Sequence, residues 1–203
     1  MFTGEICSTE LLRTPIILGG PGVVVEIDES QFCHKPKVWF TISASWECWY
    51  HSLLIQNHWG RPTSVELWVF GLVDTSQTPA LGYMEDRTAA TLLPIIQAHM
   101  APGTTVYSDE WSAYCRVSSL SSVSSHSTVN HSVHFVDPGT GVHTQHIESY
   151  WERAKHKLKH MKGCHLHEVP SYLDELMWRE RYGRTPDAAF TLIFQHIARE
   201  YPV

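Results

Sequence analysis

Apolar residues along this chain recur at two different spacings, and the alternation between them outlines the elements. Behind the loop Leu18-Gly19-Gly20-Pro21-Gly22, the run Val23-Val24-Val25-Glu26-Ile27 predicts a strand over about 23–28 that continues through Phe32. Ser64 to Val73 and Ala80 to Met84, rich in branched and aromatic residues, predict two more strands, and the three together an antiparallel meander. From Arg87 to Met100 the apolar positions 89, 92, 93, 96 and 100 follow the spacing of an amphipathic helix, which Ala101-Pro102-Gly103 stops. A short strand follows at about 104–108 and leaves Asp109 at its carboxyl end. The serine-rich stretch Ser118 to Ser127 reads as a mobile loop, and Val133 to Val136 as a fifth short strand. Helices at about 143–161, 168–182 and 186–199 close the chain, the last with Thr185 as cap and Pro186 in its first position.

These elements approach the order βββ-α-β-α-β-α of a ribonuclease-H-like α/β fold, a mixed five-stranded sheet flanked by helices, with a loop where a helix would separate the last two strands. A chain of 203 residues with 43% hydrophobic and 18% charged residues is long and apolar enough for one such domain. The formal net charge of −6 excludes binding of nucleic acid over the whole surface, so any DNA contact is local. Cysteines at 7, 33, 48, 115 and 164 form no CxxC pair, which argues against a disulfide framework and for a reducing compartment. Met1 to Gly22 lacks the pattern of a secretion signal, and the apolar stretch Val38 to Gln56 is interrupted by Ser43, Ser45, Glu47, His51 and Ser52. The expectation is a protein that is not secreted and spans no membrane, nuclear in a eukaryote and otherwise cytoplasmic.

Three acids change the picture. Asp28 and Asp109 each end a predicted strand, and Glu148 opens the helix near 143–161. Two carboxylates on strand ends and a third on a helix are what a pair of hard divalent cations needs for phosphoryl transfer. In that helix Ile147, Trp151, Ala154, Leu158 and Met161 form an apolar seam, and one position further round lie Glu148, Glu152, Lys155, Lys159 and Lys162. Arg153, Lys155, Lys157, Lys159 and Lys162 supply the local basic patch that the net charge requires. Each residue also has a plainer reading. A strand-end Asp is commonly a turn former, Glu152 a solvated helix acid, the lysine stripe an exposed face, and Trp111 and Trp151 packing beneath a site. The clustered His156, His160, Cys164, His165 and His167 match no closed zinc pattern.

Four segments in order, Val-Glu-Ile-Asp-Glu-Ser (25–30), Gly-Thr-Thr-Val-Tyr-Ser-Asp-Glu-Trp (103–111), Val-Asn-His-Ser (129–132) and His-Thr-Gln-His-Ile-Glu-Ser-Tyr-Trp (143–151), resemble the catalytic domain of Merlin-type DDE transposases and their bacterial ISXO-type insertion-sequence relatives. The resemblance covers roughly 20–182. It implies that Asp28, Asp109 and Glu148 form a metal-binding triad for two Mg²⁺ ions, with Mn²⁺ as a substitute. It further implies that Lys155 is the basic residue that follows the triad in these enzymes. Asn130 and His131 fall in a family-like stretch and are secondary candidates, as is Glu152 for the third ligand. The implied partners are transposon ends and target DNA, with a homo-oligomer in a synaptic complex.

Two features depart from the resemblance. Val38 to Gln56 is extra, with a composition unlike a hairpin tip, and reads either as a genuine insertion or as an intron retained in frame. Residues 1–22 are too few for the DNA-recognition region that relatives usually carry, which leaves an intact enzyme and a truncated or decayed copy both open. The expected organisation is therefore an N-terminal segment at 1–22, a catalytic domain at 23–182 with an insertion at 38–56, and a C-terminal helix at 183–203. The expected activity is metal-dependent DNA end cleavage and strand transfer; the alternatives are a non-catalytic domesticated interaction module and a stand-alone nuclease of the same fold.

Overall fold

The computed structural model describes residues 2–32, 67–76, 78–84, 86–130, 133, 136–161 and 166–202. The expected insertion Val38 to Gln56 lies outside them, as do His131 and Lys162.

In chain order the elements are α1 (Phe2–Arg13), β1 (Leu18–Gly19), β2 (Val24–Gln31), β3 (Trp68–Asp74), β4 (Pro79–Met84), α2 (Ala89–His99), β5 (Met100–Ala101), β6 (Thr104–Asp109), β7 (Val123–Val129), α3 (Gln145–His160), α4 (Val169–Tyr182) and α5 (Pro186–Glu200). The main sheet has the order β4-β3-β2-β6-β7, antiparallel from β4 to β2 and parallel from β2 to β7. This is the expected mixed five-stranded, ribonuclease-H-like sheet. The centre of the sheet is covered on both faces, and β2 and β3 accordingly bury Val25, Ile27, Val69, Phe70 and Leu72 almost completely.

Helix α3 covers one face of the sheet over β2 and β3, and α4 extends that layer over β4. The opposite face receives the single turn Ser112–Tyr114, against which α2 packs. There the Tyr114 ring lies 6.3 Å from that of Phe70, and its hydroxyl donates to Glu29. Helices α1, α4 and α5 form a cluster at the β4 side. Its centre holds Glu10 and His196, both nearly buried, with Arg199 donating to both Glu10 oxygens at 2.9 and 3.0 Å and the Trp178 indole donating to His196 at 3.1 Å.

Two elements differ from expectation. The fifth strand is Val123–Val129, which begins within the serine-rich stretch expected to be a loop and runs two residues past it, while Val133 sits in a turn and Val136 makes one bridge to His143. Edge strand β7 buries little apolar surface, so hydrophobic alternation does not mark it. Its parallel ladder with β6 holds it, and hydroxyl groups add to that ladder. Ser124 donates to the carbonyls of Gly103 and Thr104 at 3.1 and 3.0 Å, and Ser125 to the Thr105 hydroxyl at 3.1 Å. The second difference is helix α1, within a segment for which the sequence pattern predicts no element. Its register is set through tertiary contacts such as Ser8 to Asp174 at 2.5 Å.

Candidate active site

Side chains alternate along a strand, so Glu26, Asp28 and Ser30 share one face of β2 while Glu29 turns to the other. All three residues on the first face meet α3. Glu26 accepts the main-chain N–H groups of His146 and Ile147 at 2.8 and 3.0 Å, Asp28 accepts the Trp151 indole N–H at 2.9 Å, and Ser30 accepts from Lys155 Nζ at 2.6 Å. Two residues of strand advance about 6.6 Å and four of helix about 6 Å, so the two elements run side by side in step.

Strand β6 adds the second acid. Its parallel register with β2 pairs Val24 with Thr105, Val25 with Val106 and Glu26 with Tyr107. Two residues further on, the same offset brings Asp109 level with Asp28 on the same face. The ladder ends before that point, so the two carboxylates sit where the strands part. Burial raises the Asp28 carboxyl to about 7; the charges of Glu29 and Asp109 act in the same direction and the Trp151 indole against it. Asp109 also accepts the Trp111 main-chain N–H at 3.0 Å, the turn-forming role open to any strand-end Asp.

Glu148 is exposed in the first turn of α3. Seven residues are two turns, so Lys155 returns to within about 20° of Glu148 around the helix axis. Arg153 and Lys157 point the other way and clasp α4, pairing with Glu180 at 3.2 Å and Glu175 at 2.7 Å. Glu148, Lys155 and Lys159 therefore occupy the opposite flank, on the side of β6. The expected five-cation patch is thus divided between two sides of the helix, with Lys162 outside the described residues. Glu152 is exposed one turn beyond Glu148. Among the described residues, Asp28, Asp109 and Glu148 do not form a set whose ligand atoms all lie within 4.8 Å of one another. A cage for two ions about 3.5–4 Å apart is wider than that.

Asn130 follows β7 and lines an open depression with Glu29, Arg87, Asp109, Glu110, Trp111 and Val129. In it the Arg87 guanidinium pairs with Glu29 and lies between two indoles, 3.8 Å from the Trp68 ring centre and 4.5 Å from that of Trp111. Trp111 and Trp151 both pack near the acids, and Trp151 adds a polar contact that packing alone does not predict. The sequence reading passes over Glu26, Ser30, Glu29 and Arg87. The alternation Glu26-Asp28-Ser30 is the signal for the first two; for the Glu29–Arg87 pair, 58 residues apart, the sequence carries none.

The family model of the ISXO2-like transposase domain matches residues 56–181, which includes Asp109, Glu148 and Lys155 and leaves β2 with Asp28 outside. The chain is also 35% identical over 91 residues to an uncharacterized transposase-like protein of Haemophilus influenzae, a stretch covering 45% of this chain and 71% of that protein. Among the described residues no helix is long and apolar enough to cross a membrane. With the ribonuclease-H-like sheet and the family match over most of its length, this chain belongs to the ISXO2-like transposase domain family.

Proposed function

We propose that the chain is a DDE-type catalytic domain in which Asp28, Asp109 and Glu148 hold two Mg²⁺ ions, with Mn²⁺ able to replace them. The observation that carries this reading is the β2–β6 register, which brings Asp28 and Asp109 level on one face at the point where the strands part. The donor set fits the ions: three carboxylates offer the hard oxygen ligands that Mg²⁺ prefers. Asp28 fits as well, because a half-buried carboxyl raised to about 7 gains from a nearby cation.

Ions bound there would activate the attacking hydroxyl and stabilise the leaving oxygen of an in-line phosphoryl transfer. The chain's own residues supply position. Trp151 fixes the Asp28 carboxylate, the turn after β6 fixes Asp109, and α3 carries Glu148 on the flank beside them. Lys155, anchored at Ser30, is suited to steady a DNA phosphate, with Lys159 further along the same flank. Arg153, Lys157 and Lys162 are secondary DNA contacts in this reading, as are Asn130, which lines the depression beside Asp109, and His131, outside the described residues; Glu152 is the alternative to Glu148. The substrates are the transposon ends and target DNA, handled by a homo-oligomer in a synaptic complex. Residues 23–182 form the catalytic domain, interrupted at 38–56.

The test is a strand-transfer assay with Mg²⁺ or Mn²⁺ on wild type and Asp109→Asn. Joining by wild type alone is the expected result. Cutting without joining marks a stand-alone nuclease, and neither activity marks a domesticated interaction module; either outcome overturns the proposal.

A further inference from the structure

Outside the acidic pair, a second group of potential ligands converges at the start of α3. Glu26 Oε1 lies 2.6 Å from His146 Nδ1 and 3.2 Å from His143 Nδ1, and the three ligand atoms all fall within 4.8 Å of one another. We propose that Glu26, His143 and His146 bind a single divalent cation of the zinc class, at a site distinct from the one formed by Asp28 and Asp109.

The chemistry of the donors selects the class. Two imidazoles and one carboxylate suit zinc and its first-row neighbours, whereas Mg²⁺ prefers oxygen throughout. The spacing fits as well. With metal–ligand bonds of about 2.0–2.1 Å in a tetrahedron, neighbouring ligand atoms sit about 3.3 Å apart, so relative to Glu26 the His143 nitrogen is already placed and that of His146 has to withdraw by a fraction of an ångström.

The carboxylate is also oriented for the task. Glu26 is 2% exposed and its Oε2 is held by the N–H groups of His146 and Ile147, which leaves Oε1 directed at the imidazoles. Ligating carboxylates are typically fixed by such outer hydrogen bonds. The positive end of α3 opposes a cation here, and the Glu26 charge lies between the two. Both imidazoles are partly exposed, at 27% and 36%, so an ion can enter and a fourth, solvent ligand can complete the shell.

An ion at this site would tie β2 to the loop before α3 and to the first turn of the helix. It does not depend on the DDE reading, and binding is measured directly. The full chain, stripped with chelator, is titrated with Co²⁺ in excess Mg²⁺ and followed by visible absorption, then challenged with Zn²⁺. The expected result is one equivalent of Co²⁺ in a nitrogen–oxygen environment, displaced by Zn²⁺ and not by Mg²⁺. His143→Ala and His146→Ala, checked for folding by circular dichroism, lose saturable binding. Asp28→Asn and the double variant His156→Ala/His160→Ala retain it. Absence of a saturable signal in wild type, or its survival in His143→Ala, overturns the proposal. So does its loss in Asp28→Asn or in the double variant, or a thiolate-to-cobalt band.

Discussion

Trp151 meets Asp28 through its indole N–H, at 2.9 Å from Oδ2, while the far edge of the same ring covers the backbone at Gly71. One side chain thus fixes a candidate ligand and closes the helix against the sheet. Trp151→Phe keeps most of the packing and removes the donor. The expected loss is about 1.5–3 kcal/mol above pH 8, where Asp28 is ionised, and less at pH 5; urea unfolding at the two pH values measures it.

Gly71 is required by close approach. A Cβ built there would lie 2.6 Å from Trp151 Cη2 and 2.9 Å from Ile147 Cδ1, and a buried indole has little room to withdraw. Gly71→Ala is expected to destabilise the fold by about 1–3 kcal/mol, read from the shift in the urea midpoint at unchanged slope.

The raised Asp28 carboxyl gives a definite pH dependence. Its folded value of about 7 exceeds the ordinary 3.8, so between these values the folded state holds the proton more tightly than the unfolded chain. That contribution to stability is complete below about pH 4 and is lost as pH rises through about 7. Metal-free protein is expected to lose up to a few kcal/mol over this window, and Asp28→Asn to flatten the profile in chelator-treated thermal melts.

Glu26 replaces the missing local cap of α3, since Thr144 makes no side-chain capping bond there. Glu26→Ala leaves two helix donors without this acceptor, at a cost of about 1–3 kcal/mol. Hydrogen exchange is expected to speed up at the His146 and Ile147 amides and to remain slow in the middle of α3.

The lysines on the two flanks of α3 differ in what they contribute. Lys155→Ala is expected to weaken binding to every DNA sequence alike and to reduce the salt slope by about 1, and to cost about 0.5–1.5 kcal/mol of stability through the lost Ser30 hydrogen bond. Lys157→Ala breaks a pair with Glu175 and is expected to cost about 0.5–1 kcal/mol of stability, with a smaller effect on DNA binding. Filter binding across salt concentrations and thermal melts of the two variants decide the matter.

The fold was legible wherever burial imposes a period. The apolar run at 23–28, the described part of the run expected over Ser64 to Val73 and the seam Ile147, Trp151, Ala154, Leu158 lie on buried faces, and strands Val24–Gln31 and Trp68–Asp74 and helix Gln145–His160 form there. Strand β7 escaped because a backbone ladder with β6 and serine hydroxyls, not apolar contacts, secure it, and α1 because its partners are distant in sequence. Within the site, Asp109 can be picked out as a strand end and Asp28 as the end of an apolar run, although β2 continues past it to Gln31; their common height depends on a pairing register that only the assembled sheet defines. Glu26 was invisible as a cap because its helix begins 119 residues later, at Gln145.

The contacts of β2 with α3 lengthen along their course. The first is made by main-chain amides, the second by an indole, and the third by the full stem of a lysine. A strand that gains about 0.6 Å on the helix at each step drifts out of phase by more than an ångström over two steps, and the bridging groups grow in reach to match. Glu26 and Asp28 are therefore held by short, stiff groups, while Lys155 reaches Ser30 through a flexible stem and is the bridge that a slide of the helix along the strand strains least.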